Sequence, residues 1–458
     1  MRGTDVHIES ASFNLEDIAY RTPIKFGGVV LDKATLLHAD VTVRDKKGKV
    51  SLGRGSMPLG NVWSFPSKNL SYEQTLSAMK SLAGKTCDLY NHCNISGHPL
   101  DIGWQLEKEA LKLAEVVTRE SGLADPVPPL AVMVSASPFD AALHDAYGKL
   151  HGMSVYQTYT DAFVDTDLGR FLGKDFKGLP IHRHVRKDPV HRLPLYHLIG
   201  ALDPLTKKDV EKPVGDGLPE TLGDWIQFNG LTHLKIKLNG SDLDWDVDRV
   251  LRVESAAVLA QAKRGVVRWH YSLDFNEKCP NVEYLLEFLA KVKAASKEAF
   301  PRIAYIEQPT ARDLKANRQN VMHKVSAQIP VVIDESLLDL ESLLTARDMG
   351  YTGAALKACK GQTQSVILAS AAKHLKMFLC VQDLTCPGAS LIQSAGIAAH
   401  VHGVAAIEAN SRQYCPKANE EWAPRFPGIF DISDGTMMTG CLTGPGLGAY
   451  PVEPAAKN

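Results

Sequence analysis

The sequence has no excess of either charge. Its 51 lysine and arginine residues nearly balance its 52 aspartate and glutamate residues, so the formal net charge is -1. Proteins that bind nucleic acid or an anionic membrane by electrostatics usually carry a basic surplus on one face. We therefore expect neither a nucleic acid nor a membrane as the partner of this chain.

Long apolar runs and paired cysteines are missing as well. No uninterrupted apolar segment approaches the roughly 20 residues that a membrane span needs, and residues 1–18 lack the apolar core of a signal peptide. The eight cysteines form no CxxC pair, which in a chain of this length indicates reduced thiols rather than a disulfide framework. These absences predict a cytoplasmic protein.

The chain is long enough for two domains, one of them a barrel. It has 458 residues, of which 45% are hydrophobic and 22% are charged, as in a soluble protein with a sizeable core. Apolar and polar residues alternate over about residues 5–55, which predicts a small antiparallel sheet. Amphipathic helices follow at 71–86, 101–122 and 138–152. Strands followed by helices indicate a separate α+β domain.

From about residue 193 the pattern changes to strands that alternate with helices. Eight strands are the number that closes a small parallel barrel, so the sequence predicts an α/β fold with a TIM-like barrel. The preceding segment, near 158–193, is rich in glycine, proline, histidine and basic residues and is predicted to be an irregular insertion. The candidate strands are 193–200, 232–238, 266–275, 302–309, 329–336, 353–359, 377–384 and 403–410.

Three carboxylates each end a candidate strand: Asp274, Glu307 and Asp334. Because the carboxyl ends of all strands of a parallel barrel open on one face, these side chains should converge there. Three oxygen ligands with positions left for water or substrate suit Mg²⁺. A single strand-end carboxylate is as often a helix cap or a solvated loop residue. Three such carboxylates on consecutive strands favour a metal site.

Lysines accompany these carboxylates on two other strands. Alternation along a strand places Lys235 and Lys237 on one side, with Ile236 facing the helices. Lys357 approaches from the opposite side of the barrel mouth. Buried ammonium groups are costly without anions, and crowding with other cations lowers a lysine pKa toward neutrality, as a general base requires. We therefore interpret the set as a site for proton transfer.

With these residues in place, the chain resembles the mandelate racemase / muconate lactonizing enzyme branch of the enolase superfamily over nearly its whole length. The resemblance rests on KIK at 235–237, LDFNE at 273–277, IEQP at 306–309, IDES at 333–336 and LKACKG at 356–361. It implies that Lys237 is a base with Lys235 as its electrostatic partner, and that Lys357 is the base on the opposite face. It also implies that Asp274, Glu307 and Asp334 bind Mg²⁺.

The resemblance further implies a domain organisation. A modified (β/α) barrel would occupy 136–429, with the insertion near 158–193, and an α+β capping domain would occupy 1–135 and be completed by 430–458. Two loops of the capping domain, near 21–28 and 54–63, would select the substrate. Trp63 is interpreted either as a substrate-facing aromatic side chain or as interdomain packing. A homo-oligomer is expected from the family.

The seventh candidate strand carries no histidine, so the chain resembles the lysine–lysine, muconate lactonizing-like subgroup. That subgroup includes dipeptide epimerases, N-acyl amino acid racemases, succinylbenzoate synthases and cycloisomerases. Two departures from its pattern are Gly361-Gln362 in place of Gly-Gly and IEANSRQ in place of Asp-x-Asp on strand eight. Candidates for substrate contacts or for support of the site are Asn276, Glu335, Asp383, Glu408 and Asn410.

The predicted function is therefore Mg²⁺-dependent abstraction of the α-proton of a small carboxylate substrate through an enediolate. Racemisation or epimerisation is the first choice because bases stand on both faces, and a dehydratase or cycloisomerase is the alternative. A Schiff-base lysine aldolase and a metal-binding barrel without turnover represent other classes. Three histidines of the insertion, His182, His184 and His191, could suggest a zinc site, but a basic HRH loop is more often solvated.

Overall fold

The structure of the protein is a computed structural model that describes residues 2–26 and 29–452. The end of the loop predicted at 21–28 and the last six residues of the predicted tail lie outside the described residues.

The amino-terminal part forms an antiparallel sheet, as predicted. Long strands β1 (Val6–Phe26) and β2 (Val29–Asp45) pair with β3 (Val50–Pro58) and the short β4 (Ser96–Gly97), in the order β3-β2-β1-β4. Alternate side chains of β2 are fully buried and their neighbours are partly exposed. This period of two gives a sheet with one covered face. The fully buried set is Leu37, Ala39, Val41 and Val43.

Helix α4 (Pro129–His151) packs so closely on β3 that only glycine fits between them. A Cβ at Gly53 would lie 2.0 Å from the carbonyl oxygen of Ala142, and one at Gly55 would lie 2.0 Å from that of Pro138. Nearly every side chain of α4 is buried. The helix is therefore buried on all sides, and its observed start precedes the predicted one by nine residues.

A closed barrel of eight parallel strands follows, and all eight candidate strands are confirmed. The strands pair in sequence order, and the last pairs with the first through Ile407 opposite Leu195. A ring of side chains that includes Tyr196, Tyr305 and Cys380 fills the barrel interior. Because that interior is packed, a site can form only at the strand ends. The barrel strands are β5 (Leu193–Ile199), β6 (His233–Lys237), β7 (His270–Asp274), β8 (Ile303–Glu307), β9 (Val331–Ile333), β10 (Gly353–Leu356), β11 (Phe378–Val381) and β12 (Val404–Glu408).

Helices cover the sheet and surround the barrel. Within the described part of the chain, none of them combines the length and the apolar composition needed to cross a membrane. Besides α4, the helices are α1 (Asn61–Ser64), α2 (Tyr72–Asn91), α3 (Pro99–Glu120), α5 (Leu168–Leu172), α6 (Leu222–Asn229), α7 (Leu243–Arg264), α8 (Val282–Ala295), α9 (His323–Ser326), α10 (Leu340–Asp348), α11 (Gln362–His374), α12 (Ala389–His400) and α13 (Ser411–Tyr414).

The segment predicted as an insertion is short-helical and packed. It contains α5 and two turns of 3₁₀ helix, and it buries Phe171, Phe176 and Ile181. In the tail, β13 (Thr436–Met437) pairs antiparallel with the start of β5, and Leu447 N donates to Asp145 Oδ1 on α4 at 2.8 Å. The predicted domain limits at 135/136 and 429/430 stay predictions.

Candidate functional site

The side chains that the sequence analysis selected lie at the carboxyl ends of the barrel strands. Lys237, Asp274 and Glu307 are the last residues of β6, β7 and β8, and Asp334 and Lys357 directly follow β9 and β10. Parallel strands of a closed barrel end at one face, so these five groups share one mouth.

Lys235 is the centre of the first group of contacts. Its Nζ donates to Glu307 Oε1 at 2.9 Å, to Gln382 Oε1 at 3.0 Å and to Glu408 Oε2 at 2.9 Å. It also lies 3.1 Å from Asp274 Oδ2. Burial alone would lower the pKa of Lys235, but the surrounding carboxylates raise it well above its ordinary value.

Lys237 and Asp274 form the adjacent pair. The Lys237 Nζ lies 2.5 Å from Asp274 Oδ2, and Asp274 Oδ1 accepts a hydrogen bond from the backbone N–H of Asn276 at 2.9 Å. Burial would raise the pKa of Asp274, but the ammonium groups of Lys237 and Lys235 hold it well below its usual range. Asp274 is therefore an anion.

Asp334 is the centre of a second group of contacts. Its Oδ2 lies 2.7 Å from Lys357 Nζ, and its Oδ1 lies 3.3 Å from Lys360 Nζ. Burial opposes ionisation of Asp334, but the two lysines lower its pKa below the ordinary value. Glu307 faces both groups: burial and the neighbouring carboxylates Asp274 and Asp334 raise its pKa.

The expectation of a lowered lysine pKa counted a bound Mg²⁺ among the neighbouring cations, and for that state it stays a prediction. Although burial lowers the pKa of Lys235 and Lys357, the carboxylates around them raise it above the ordinary value. Lys235 Nζ lies 2.9 Å from Glu307 Oε1 and Lys357 Nζ lies 2.7 Å from Asp334 Oδ2. These carboxylates favour the charged form of each lysine.

The side chains of strand eight join the first group. Glu408 Oε1 accepts from Asn410 Nδ2 at 2.7 Å, while its Oε2 contacts Lys235. Asp383 accepts hydrogen bonds from the backbone N–H groups of Asn410 and Cys386. Burial and the nearby Glu408 raise the pKa of Asp383 to about 6. These residues thus support the mouth, directly or through one neighbour.

Trp63 reaches the barrel from the amino-terminal part. Its Nε1–H donates to Glu335 Oε1 at 2.8 Å, and its ring centroid lies 4.0 Å from Lys357 Nζ. Arg312 holds the Trp63 backbone by donating to its carbonyl oxygen at 3.0 Å and forms a salt bridge with Glu277. Burial and the adjacent Asp334 raise the pKa of Glu335 to about 8.

A cavity of about 400 Å³ lies beside Trp63, between the amino-terminal part and the barrel. Trp63 and Glu335 line it, whereas the lysines of the mouth and the three candidate metal ligands do not. Trp63 and Glu335 therefore separate this cavity from the charged mouth. Its other walls are contributed by Val29, Val62, Phe65, Pro66, Ser67, Lys68, Leu70, Ser71, Tyr72, Thr75, Asn276, Glu277, Lys278 and Arg312.

Three members of the site were not predicted from the sequence: Lys360, Gln382 and Arg312. Lys360 lies three residues after Lys357 in a 3₁₀ turn, so both lysines point at Asp334. Gln382 stands directly before Asp383 and contacts Lys235. The LKACKG motif contained a signal for Lys360, whereas nothing local distinguishes Gln382 or Arg312 from ordinary polar residues.

A comparison with known families gives a match over the second half of the chain. The model of the enolase C-terminal domain-like family matches residues 219–455. The chain belongs to this family. This confirms the predicted membership in the mandelate racemase / muconate lactonizing branch of the enolase superfamily. It also confirms the prediction that the chain belongs to a family of enzymes. No protein of curated function matches the sequence.

Solved structures of the enolase superfamily share the fold. A muconate lactonizing enzyme from Pseudomonas fluorescens in complex with muconolactone is 16% identical, with a TM-score of 0.60 over 97% of this chain and 96% of that one. A dipeptide epimerase from Enterococcus faecalis in complex with Mg and L-Leu-L-Tyr is 15% identical, with a TM-score of 0.61 over 96% and 99%. An N-succinyl Arg/Lys racemase from Bacillus cereus is 15% identical, with a TM-score of 0.58 over 99% and 95%.

The chemistry of the mouth fits a divalent cation. Glu307 Oε2 and Glu335 Oε2 are buried and accept no hydrogen bond from a described residue. Oxygen donors of this kind suit Mg²⁺, although no three His, Cys, Asp or Glu side chains in the described ranges are gathered as a metal-binding group. Carboxylic groups also outnumber ammonium groups at the mouth. The carboxylic groups are Asp274, Glu307, Asp334, Glu335, Asp383 and Glu408, and the ammonium groups are Lys235, Lys237, Lys357 and Lys360.

The other candidates for a metal site are the three histidines of the insertion. His182 lies 3.4 Å from Asp161, and His184 is buried. Within 2–26 and 29–452, neither they nor His191 belong to a group that could hold a metal ion. The zinc interpretation, which the sequence already disfavoured, is not proposed.

Proposed function

We propose that this protein abstracts the proton from the carbon next to a substrate carboxylate and returns it to the opposite face, as a racemase or epimerase does. One observation carries the proposal. Lys237 and Lys357 end the second and the sixth strands of a closed barrel of eight, so they stand across the mouth from each other. Each is ion-paired with a different candidate metal ligand, Asp274 or Asp334.

Asp274, Glu307 and Asp334 would hold Mg²⁺. When bound, the cation would stabilise negative charge on the substrate carboxylate and compete with the lysines for the carboxylates. The side chains of the protein perform the proton transfers. Lys237 takes the α-proton as the C–H bond breaks and its N–H bond forms, and Lys357 gives a proton to the other face of the carbon. Lys235, held by Glu307 and Glu408, supplies fixed positive charge beside the base.

A second candidate is elimination or cycloisomerisation from the same first step. The Trp63 ring lies over Lys357, and a cation–π contact favours the charged ammonium. If Lys357 stays an ammonium throughout, it stabilises charge without exchanging a proton, and only Lys237 acts as a base. The structural relatives include enzymes of both kinds, epimerases and cycloisomerases.

Solvent deuterium exchange at the α-carbon tests the proposal. Acid sugars, amino-acid derivatives and dipeptides are incubated with the enzyme and Mg²⁺ in D₂O, and incorporation is followed by NMR. A racemase should exchange the α-proton of both enantiomers with solvent deuterium. In Lys357→Ala, only the enantiomer that Lys237 deprotonates should still exchange, whereas the exposed control Lys208→Ala should behave as wild type. Full racemisation by Lys357→Ala would contradict the two-base assignment, and exchange of a single enantiomer by the wild type would support the second candidate.

The metal is tested separately from turnover. Calorimetric titration with Mg²⁺ should give saturable binding, and Glu307→Gln should weaken it because one hard anionic ligand is lost. Unchanged affinity in that variant removes Glu307 from the metal site. A Schiff-base mechanism makes the opposite prediction, which is borohydride trapping of a lysine adduct and activity that resists EDTA.

The expected homo-oligomer and the cytoplasmic location stay predictions. Sedimentation equilibrium of the purified full-length chain measures the first.

A further inference from the structure

A second cavity lies outside the charged mouth, against the helix that follows strand eight. It has a volume of about 270 Å³ and is bounded by α6, by residues 416–423 and by residues 430–432. None of its lining residues belongs to the lysine and carboxylate groups of the mouth. The lining consists of Leu218, Trp225, Phe228, Asn229, Arg412, Pro416, Asn419, Glu420, Ala423, Phe430, Asp431 and Ile432.

Arg412 is the unusual member of this lining. It is 7% exposed, and its one hydrogen bond to a described residue is donated from Nη1 to Asn229 Oδ1 at 2.8 Å. Its Nε and Nη2 are buried and have no partner among the described residues. A buried guanidinium is normally paired with a carboxylate, because burying the charge is costly. Burial lowers the pKa of Arg412 to about 10, and Asp431 offsets only part of this effect.

Acidic groups stand at the rim of the cavity. Glu420 and Asp431 are exposed, and neither makes an ion pair with any residue in the described ranges. The cavity thus offers one buried cation and two carboxylates on a single lining. A ligand that carries both an anionic and a cationic group complements this arrangement, whereas a simple anion would be repelled by the rim.

The remaining lining is apolar and aromatic. Trp225 and Phe430 are buried, but Phe228 is 59% exposed although it lines the cavity. An exposed phenyl ring beside a buried charge is a surface that an apolar group would cover. The volume is below the range of cavities that take drug-sized ligands, so it suits a small molecule.

We propose that this cavity binds a free α-amino acid with an apolar side chain. Its carboxylate pairs with Arg412, its ammonium group faces Asp431 and Glu420, and its side chain covers Trp225 and Phe228. The proposal does not depend on the reaction at the barrel mouth.

Calorimetric titration of the full-length protein with L-phenylalanine tests the proposal. Saturable binding is expected, and two analogues should bind about tenfold or more weakly because each loses a charge-assisted contact. N-acetyl-L-phenylalanine lacks the ammonium group, and phenethylamine lacks the carboxylate. Binding should change the tryptophan fluorescence, and Trp225→Phe should remove that signal. Absence of saturable binding to the wild type overturns the proposal.

Variants locate the site. Arg412→Gln should weaken binding of L-phenylalanine by about ten- to a hundredfold. Because this variant removes a buried group and can misfold, the exposed substitutions Phe228→Ser and Asp431→Asn provide a second test, and both should weaken binding. Lys237→Ala, in the barrel mouth, should bind as wild type. Loss of binding in Lys237→Ala with retention in Phe228→Ser and Asp431→Asn would place the ligand in the mouth and contradict the proposal.

Discussion

Trp63 lies over Lys357 with its ring centroid 4.0 Å from the lysine Nζ. The two residues come from different parts of the molecule, since Trp63 belongs to α1 after the antiparallel sheet and Lys357 follows the sixth barrel strand. The contact explains why a lysine in the mouth is only 5% exposed. It also means that the amino-terminal part completes a site whose charges all belong to the barrel.

Trp63→Ala should uncover Lys357 and weaken the junction between the two parts. Removing a buried indole costs about 3–5 kcal/mol, so the free energy of unfolding in urea should fall by about that amount. Trp63→Phe keeps the ring but loses the hydrogen bond to Glu335, and its loss should be about 1 kcal/mol. Acetylation of Lys357, followed by mass spectrometry, should be faster in the alanine variant alone. Equal rates in all three proteins would exclude Trp63 as the cover of Lys357.

Gly55→Ala should separate β3 from α4. The added Cβ would lie 2.0 Å from the Pro138 carbonyl oxygen, and overpacking of this kind costs about 3 kcal/mol. Gly84 in α2 provides the matched control because a Cβ there meets nothing within 4 Å. Gly84→Ala should stabilise the protein by about 0.5–1 kcal/mol through helix propensity. Thermal unfolding of the two variants measures the loss of stability in the first and the gain in the second. A Gly55→Ala variant as stable as the wild type would mean that β3 and α4 can move apart.

Asp140 should make stability depend on pH. Burial raises its pKa to about 6 although Thr363 donates to both of its oxygens. Between about pH 4 and pH 6 the folded protein keeps this proton while the unfolded chain releases it. The contribution of Asp140 to the free energy of unfolding therefore falls as the pH rises through this window, by about 3 kcal/mol, and is constant above it. Asp140→Asn should remove this part of the decline in urea titrations at pH 4, 5, 6 and 7. If the free energy of unfolding of Asp140→Asn changes with pH as it does in the wild type, groups other than Asp140 cause the pH dependence.

Lys235→Met should destabilise the fold more than any surface lysine variant. It leaves Asp274, Glu307 and Glu408 without their shared ammonium group, and breaking such a buried pair costs about 3–5 kcal/mol. Mg²⁺ should restore part of this loss if the carboxylates bind it, because a ligand of the native state raises stability. Lys208→Met is the exposed control. Full stability of Lys235→Met without metal would show that the carboxylates are protonated.

Much of the barrel could be predicted because its signals are local. Each strand is a short apolar run with a polar residue at its end, and eight such runs define the closed sheet and the face on which Asp274, Glu307 and Asp334 appear. The start of α4 was placed nine residues too late because residues 129–137 are all apolar or small, so they give no amphipathic period. The direction of the lysine pKa shifts could not be predicted for a different reason. It depends on which charges lie within a few ångströms of each ammonium group, and that is a property of packing.

The sequence by itself determined the closed barrel, the mouth at its strand ends and the residue types gathered there. Hydrophobic periodicity and the residue at each strand end are local features of the sequence, so they can be identified without the fold. Only the tertiary structure determined which side chains contact each other. Lys235 and Glu408 are 173 residues apart and share a hydrogen bond, Trp63 covers Lys357, and Arg412 donates to Asn229 beside a cavity. Such contacts arise when distant segments pack, and no local pattern encodes the partner that packing brings within reach.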